Sequence, residues 1–209
     1  SALRGTAMTL RSAVEQSKNG VAYSVFYDIK PSYGLDFITR MKFDKIVPQD
    51  NTLSAALGGL TYGVTTVQMA GGYCALVNQG EYRDTTCLVS LKDNNGKELY
   101  KEEKPVRVYD AGASSVMIDI LKGVLTNGTA KSMKWSESSE LAAAGKTGTT
   151  NGSKDGWFCG VTPYYTVAVW VGYDTPKTLD NLYGATYPAG IWKDVMLYLT
   201  NGTAQIDFN

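Results

Sequence analysis

Three short runs in the last third of the chain constrain the fold more than any other feature of the sequence. Residues 141–149 form a run of small side chains, whereas residues 157–161 and 166–172 are apolar and rich in β-branched and aromatic side chains. All three have the length of a strand, and Thr162-Pro163-Tyr164-Tyr165 supplies turn chemistry between the last two. Strands joined by so short a turn pair antiparallel. From Pro188 the apolar residues recur at helical spacing. Ile191, Trp192, Val195, Met196 and Leu199 are then expected on the apolar side of a closing helix.

Upstream, the signals are helical. Thr9 can cap a segment running through Leu10, Ala13 and Val14 toward Ser17, where Asn19-Gly20 interrupts it and an apolar stretch over 21–29 follows. Pro31 can open a helix with Leu35, Ile38 and Met41 on one face. Residues 50–64 are small and glycine-rich and read as a compact loop. Thr65 and Gln68 then form a capping-box pattern for a helix reaching Val77, with Asn78 and Gly80 as its stop. Asp93-Asn94-Asn95-Gly96 between residues 85–91 and 97–101 predicts a hairpin. Asp110 is expected to cap a helix with Val116, Ile120 and Val124 stacked at intervals of four, ended by Asn127-Gly128. Helices first, then an antiparallel sheet and a closing helix, predict a mixed α/β (α+β) fold, with residues 1–209 in one domain.

Composition narrows the chemistry. Twenty Lys plus Arg balance twenty Asp plus Glu, so no net charge draws the chain to nucleic acid or anionic lipid. No apolar run approaches the ~18 residues needed to span a bilayer. The chain has no histidine, which removes the usual general base of hydrolases and the commonest metal ligand. Proton transfer would fall to Lys, Ser, Tyr or a carboxylate. Cys74, Cys87 and Cys159 are too few and too scattered for a disulfide scaffold or a zinc site. One disulfide could form, but buried thiols are the favoured reading. No metal or cofactor is expected. The opening Ser1-Ala2-Leu3-Arg4-Gly5, without an initiating Met, reads as the start of a segment from a longer protein.

Two strings carry chemistry. In Gly145-Lys146-Thr147-Gly148-Thr149-Thr150, Lys146 offers a positive charge and Thr147 and Thr149 offer hydroxyl donors to a carboxylate. Gly148 leaves room for a substrate lying along the strand. A bare Lys-Thr-Gly arises by chance in about one chain of this size in twenty, so a strand end with a solvated lysine stands beside that reading. A phosphate loop is excluded. Its pattern needs a glycine where this chain has Glu140, and Gly148 to Ser153 breaks the chain where a helix should begin. The second string, Ser17-Lys18-Asn19, is weak alone, because Ser-x-Asn occurs by chance in roughly every second such chain and Asn before Gly is ordinary helix-stop chemistry. Its interest lies in a partner far downstream, with which it could line two sides of one cleft.

Together the strings resemble the second and third motifs of penicillin-binding proteins and serine β-lactamases, whose set is Ser-x-x-Lys, Ser-x-Asn and Lys-Thr-Gly. The bifunctional class A penicillin-binding proteins are the nearest in pattern. Residues 9–19 resemble the helix leading into their second motif. Leu57-Gly58-Gly59-Leu60-Thr61-Tyr62-Gly63-Val64 with Met69-Ala70 resembles the stretch after it. Lys146-Thr147-Gly148-Thr149-Thr150 with Asp155-Gly156-Trp157-Phe158 and Val169-Trp170-Val171-Gly172 resembles the third-motif strand and its neighbour.

The resemblance implies a β-lactamase/transpeptidase-like fold, incomplete at its N-terminus. It also implies a peptidoglycan D,D-transpeptidase that crosslinks stem peptides through an acyl-serine, with β-lactams in the same site and the parent anchored on the outer face of a bacterial membrane. Ser17 would relay a proton, Asn19 would hold the substrate amide, and Lys146 would supply positive potential. Thr147, Gly148 and Thr149 would bind the substrate, with the Thr149 N–H as one oxyanion donor. One departure stands out: no serine of the chain has lysine three positions later. The nucleophile and its lysine are expected upstream of Ser1, on a missing N-terminal half that would be this chain's partner. A catalytically silent D-alanyl- or β-lactam-binding module and a β-lactamase-type hydrolase are the competing readings.

Overall fold

The computed structural model describes residues 7–208. Three helices open it: α1 (Leu10–Glu15), α2 (Asn19–Ile29) and α3 (Pro31–Arg40). The Thr9 hydroxyl caps α1 by accepting from the Ser12 N–H, and Pro31 occupies the first turn of α3. Asn19 does not stop a helix, as its Asn-Gly context suggested. Ser17 takes a left-handed φ of 52°, and Asn19 is the first residue of α2. The turn between α1 and α2 is therefore built on a serine where glycine would be unstrained, a conformation rare enough to mark a constrained position.

The segment from 48 to 63 is the expected compact loop, with short 3-10 turns at Pro48–Asp50 and Leu53–Leu57 and left-handed glycines at 58 and 63. It is tied down by Asp50, whose buried carboxylate accepts from the N–H groups of Val47 and Thr61 and from the Thr61 hydroxyl. The Val47 N–H first, then the two Thr61 donors, hold that carboxyl below the usual range. Helix α4 (Thr66–Val77) begins with a complete capping box between Thr65 and Gln68.

The sequence misplaced the strands of the middle region. Asp93–Gly96 makes its turn, with the Asp93 carboxylate accepting from the N–H groups of Asn95 and Lys97. Beyond it Lys92 and Glu98 bridge and the Leu99 N–H donates to the Leu91 carbonyl, but among the described residues the pairing goes no further. Val89, Leu91 and Leu99 are exposed, so nothing covers an apolar face there and no ladder grows. Pairing occurs instead between two short strands that no local pattern announces, β1 (Glu81–Tyr82) and β2 (Val106–Arg107).

Helix α5 (Ala111–Thr126) is capped by the Asp110 side chain as expected, and of the expected line Val124 is fully buried, but the other large buried side chains are Ile118, Leu121 and Leu125, and Val116 is 59% exposed. The face is chosen by what lies beneath it, the strand over residues 144–149, and strict spacing of four drifts off that face. Strands β3 (Ala144–Thr149), β4 (Asp155–Val161) and β5 (Thr166–Gly172) form one antiparallel sheet in that order, with Lys146 opposite Cys159 and Trp157 opposite Trp170. The Thr162–Tyr165 turn joins the last two through a bond from the Thr162 N–H to the Tyr165 carbonyl.

The closing helix α6 (Tyr187–Leu199) buries Trp192 and Met196, whereas Ile191 and Val195 stay largely exposed. Phe158 and Trp192 meet with ring centroids 5.2 Å apart, so α6 covers the sheet face of Phe158 and Gly160. Lys146 and Cys159 point to the opposite face, toward α4. Of the cysteines only Cys159 is buried, and burial pushes its thiol up to about 12. Cys87 is exposed, against expectation, and none is paired.

Candidate active site

The edge strand β3 and the turn after α1 meet. The Lys146 Nζ donates to the Ser17 Oγ at 2.7 Å and to the Thr147 carbonyl at 2.9 Å. Lys146 is half-buried, and loss of water around its ammonium lowers its pKa to about 8. A lysine so placed keeps its charge at neutral pH but gives up a proton far more readily than a solvated one. Ser17 is exposed, so its hydroxyl proton is free to face a ligand while its oxygen accepts from Lys146.

The other anticipated residues divide. The Thr147 Oγ lies 2.7 Å from the Thr129 Oγ, and the Thr149 Oγ accepts from the Gly184 N–H at 3.0 Å. A Cβ on Gly148 would sit 3.2 Å from the Trp157 Cβ, so the small residue sits close against the base of that side chain. Asn19 is exposed at the start of α2, two residues from Ser17, and its side chain makes no hydrogen bond to the described residues.

Two residues escaped the sequence reading. Thr129 directly follows the Asn127-Gly128 helix stop, and neither it nor Gly184 stands in a motif. A Cβ on Gly184 would fall 2.5 Å from the Trp157 carbonyl oxygen and 2.7 Å from that of Gly148, so the 181–186 loop presses backbone to backbone on β3 and β4. Neither contact can be seen in a linear pattern, because both join segments brought together only by the fold.

Behind Lys146 lies an apolar cavity of about 510 Å³ between α1, α3, α4 and α5. Val14, Ile38, Met69, Tyr73 and Leu121 line it with Lys146. The Ser114 hydroxyl also borders it, buried and without a hydrogen-bond partner among the described residues. Among those residues no cluster of His, Cys, Asp or Glu could hold a metal ion, and no helix is long and apolar enough to cross a membrane.

A lysine on a sheet edge, bonded to a serine on a strained helical turn and flanked by two threonine hydroxyls, places a polar cleft on a helix-and-sheet domain. The penicillin binding protein transpeptidase domain matches residues 2–197, and the chain belongs to that family. Penicillin-binding protein 4 of Bacillus subtilis is 32% identical over 190 residues, covering 90% of this chain and 30% of that protein. Penicillin-binding protein 1A of Neisseria lactamica is 31% identical over 202 residues, covering 93% of this chain and 25% of that protein. The chain thus spans less than a third of the length of these relatives.

Among solved structures, penicillin-binding protein 1A from Haemophilus influenzae superposes with a TM-score of 0.81 at 21% identity, over 97% of this chain and 36% of that one. The PonA1 protein from Mycobacterium tuberculosis in complex with penicillin V superposes at 0.80 and 21% identity, over 99% of this chain and 60% of that one. These likenesses establish the fold. The family and the mixed α/β architecture with an antiparallel sheet are those expected from the motifs.

Proposed function

We propose that this chain is the C-terminal part of a peptidoglycan D,D-transpeptidase domain, contributing two walls of its active site. The observation that carries the proposal is the bond from the Lys146 Nζ to the Ser17 Oγ, which joins the second and third motifs across one cleft. In this reading a serine on the upstream segment attacks the carbonyl of a terminal D-alanyl peptide bond. Its proton passes to a neighbouring base, an acyl-serine forms, and D-alanine leaves with a proton delivered to its nitrogen. The amine of a second stem peptide then attacks the acyl-serine and closes the crosslink as the ester C–O bond breaks, its proton passing by way of the base to the released serine oxygen.

Each residue has a part in this. Ser17 relays the proton toward the leaving or entering nitrogen, because its oxygen is held by Lys146 and its proton is free. Lys146 supplies the positive charge, and its half-buried setting strengthens that charge's pull on a substrate carboxylate. Thr147 and Thr149 donate to that carboxylate, Gly148 leaves the strand edge open to an extended peptide, and the Thr149 N–H takes one share of the oxyanion. Asn19 reaches the substrate amide only if its free side chain swings over the cleft.

The partners in this reading are the stem peptide, β-lactams and the N-terminal half of the same domain. Residues 1–209 form the C-terminal part of that domain, and the parent works on the outer face of a bacterial membrane. The cavity of about 510 Å³ gives the upstream segment an apolar seat beside Lys146. The experiment is labelling with fluorescent penicillin followed by peptide mapping. The full-length protein takes the label upstream of Ser1, and this chain alone takes none. Label on any serine between Ser1 and Ser153 contradicts the proposal. Slow reversible binding without acylation at any site supports a silent binding module instead, and rapid loss of label supports a β-lactamase-type hydrolase.

A further inference from the structure

We propose that Thr129 is a positioning residue of this site. Its hydroxyl donates to the Thr147 oxygen, which turns the Thr147 proton toward the anionic end of the ligand. The inference rests on the reading above, in which Thr147 binds a carboxylate.

The turn carrying Thr129 is bound on both sides. The Thr129 N–H donates to the Glu15 carbonyl at 3.1 Å, and the Gln16 Nε2 donates to the Asn127 carbonyl at 3.0 Å. Both anchors lie immediately before Ser17. Between them, a Cβ on Gly128 would sit 2.3 Å from the Glu15 carbonyl oxygen and 2.8 Å from the Val124 Cα. Both are backbone atoms that cannot move aside, so only glycine allows so close an approach. On its other side the same turn reaches β3 through the pair of hydroxyls 2.7 Å apart. Residues 127–129 thus clamp the Ser17 turn to the Lys146–Thr147 strand.

The direction of that hydroxyl pair has a chemical consequence. A threonine hydroxyl has one proton and two lone pairs. If Thr147 gave its proton to Thr129, it would offer only lone pairs to an incoming carboxylate, which has nothing but lone pairs itself. With Thr129 as donor, the Thr147 proton stays available. Ser17 is arranged in the same way, since its oxygen accepts from an ammonium that has only protons to give. Two inner donors, Thr129 and Lys146, therefore leave two outer hydroxyls aimed at one anion.

The test uses the full-length protein with benzylpenicillin and its methyl ester, which lacks the negative charge. Thr129→Val is expected to lower the efficiency of acylation by benzylpenicillin about two- to tenfold, the scale of one orienting hydrogen bond between uncharged groups. The loss should fall on the concentration dependence, leave the ester little changed, and be restored by Thr129→Ser. Equal losses on acid and ester, or no loss on either, overturn the assignment. Lys146→Ala run in parallel separates the two levels. Loss with Lys146→Ala but none with Thr129→Val overturns the role of Thr129 and spares the wider reading, and a wild-type protein that takes no penicillin overturns both. If Thr129→Val does not fold, Thr129→Ala serves for the same comparison.

Discussion

Lys146 is the residue on which the site turns, and its environment makes a pH prediction. Burial lowers its pKa to about 8, below the ordinary lysine value. The ammonium is therefore intact below that pH and lost above it, and in the unfolded chain the loss comes only near 10.4. Affinity of the full-length protein for a D-alanyl peptide should hold at neutral pH and fall as the pH rises through 8. The same titration with the peptide amide, which lacks the carboxylate, should be flat there. Equilibrium binding of the two peptides from pH 6 to 10 checks this, and a parallel fall for both would remove Lys146 from carboxylate binding. The charged lysine is also disfavoured by folding, so its contribution to stability improves between pH 8 and 10.4, opposite in sign to its contribution to binding.

At the scale of elements, the loop over residues 181–186 is fixed to the sheet by absent atoms rather than by strong bonds. Gly184→Ala places a methyl group against the carbonyls of Trp157 and Gly148. It should cost about 1–3 kcal/mol of stability, the usual range for overpacking against rigid neighbours. It should also weaken penicillin acylation by displacing the Thr149 hydroxyl. Thermal unfolding and acylation kinetics of the variant report the two effects, and a variant indistinguishable from wild type would mean the loop stands off the strand.

Elements with local chemistry were legible in the sequence. The Thr9 cap, the Thr65–Gln68 box, the Asp110 cap and the three strands of the sheet each follow from neighbouring residues. What depended on distant packing was not legible. The exposed side of Val116 is set by β3, the two-residue pairing of β1 with β2 lacks a pattern, and Asn19 opens a helix because Ser17 absorbs the turn. The site follows the same division. Ser17 and Lys146 stand out by motif and lie in hydrogen-bond contact, whereas Thr129 and Gly184 reach Thr147 and Thr149 through contacts that no motif announces.

For the whole molecule, the chain combines a finished side and an open one. On the finished side Trp192, Phe158 and Met196 are fully buried between α6 and the sheet. On the other, α1, α3, α4 and α5 surround apolar space that reaches Lys146 and the unpartnered Ser114 hydroxyl. The proposed completion of the domain by an upstream segment would cover the open side. The most direct measurement is a crystal structure of the full-length protein acylated by a β-lactam. The proposal places the bound carboxylate within hydrogen-bond distance of the Thr147 and Thr149 hydroxyls, beside the Lys146 ammonium, with the acyl bond on a serine that precedes Ser1. A carboxylate held elsewhere, with Ser17 and Lys146 facing empty solvent, would contradict it.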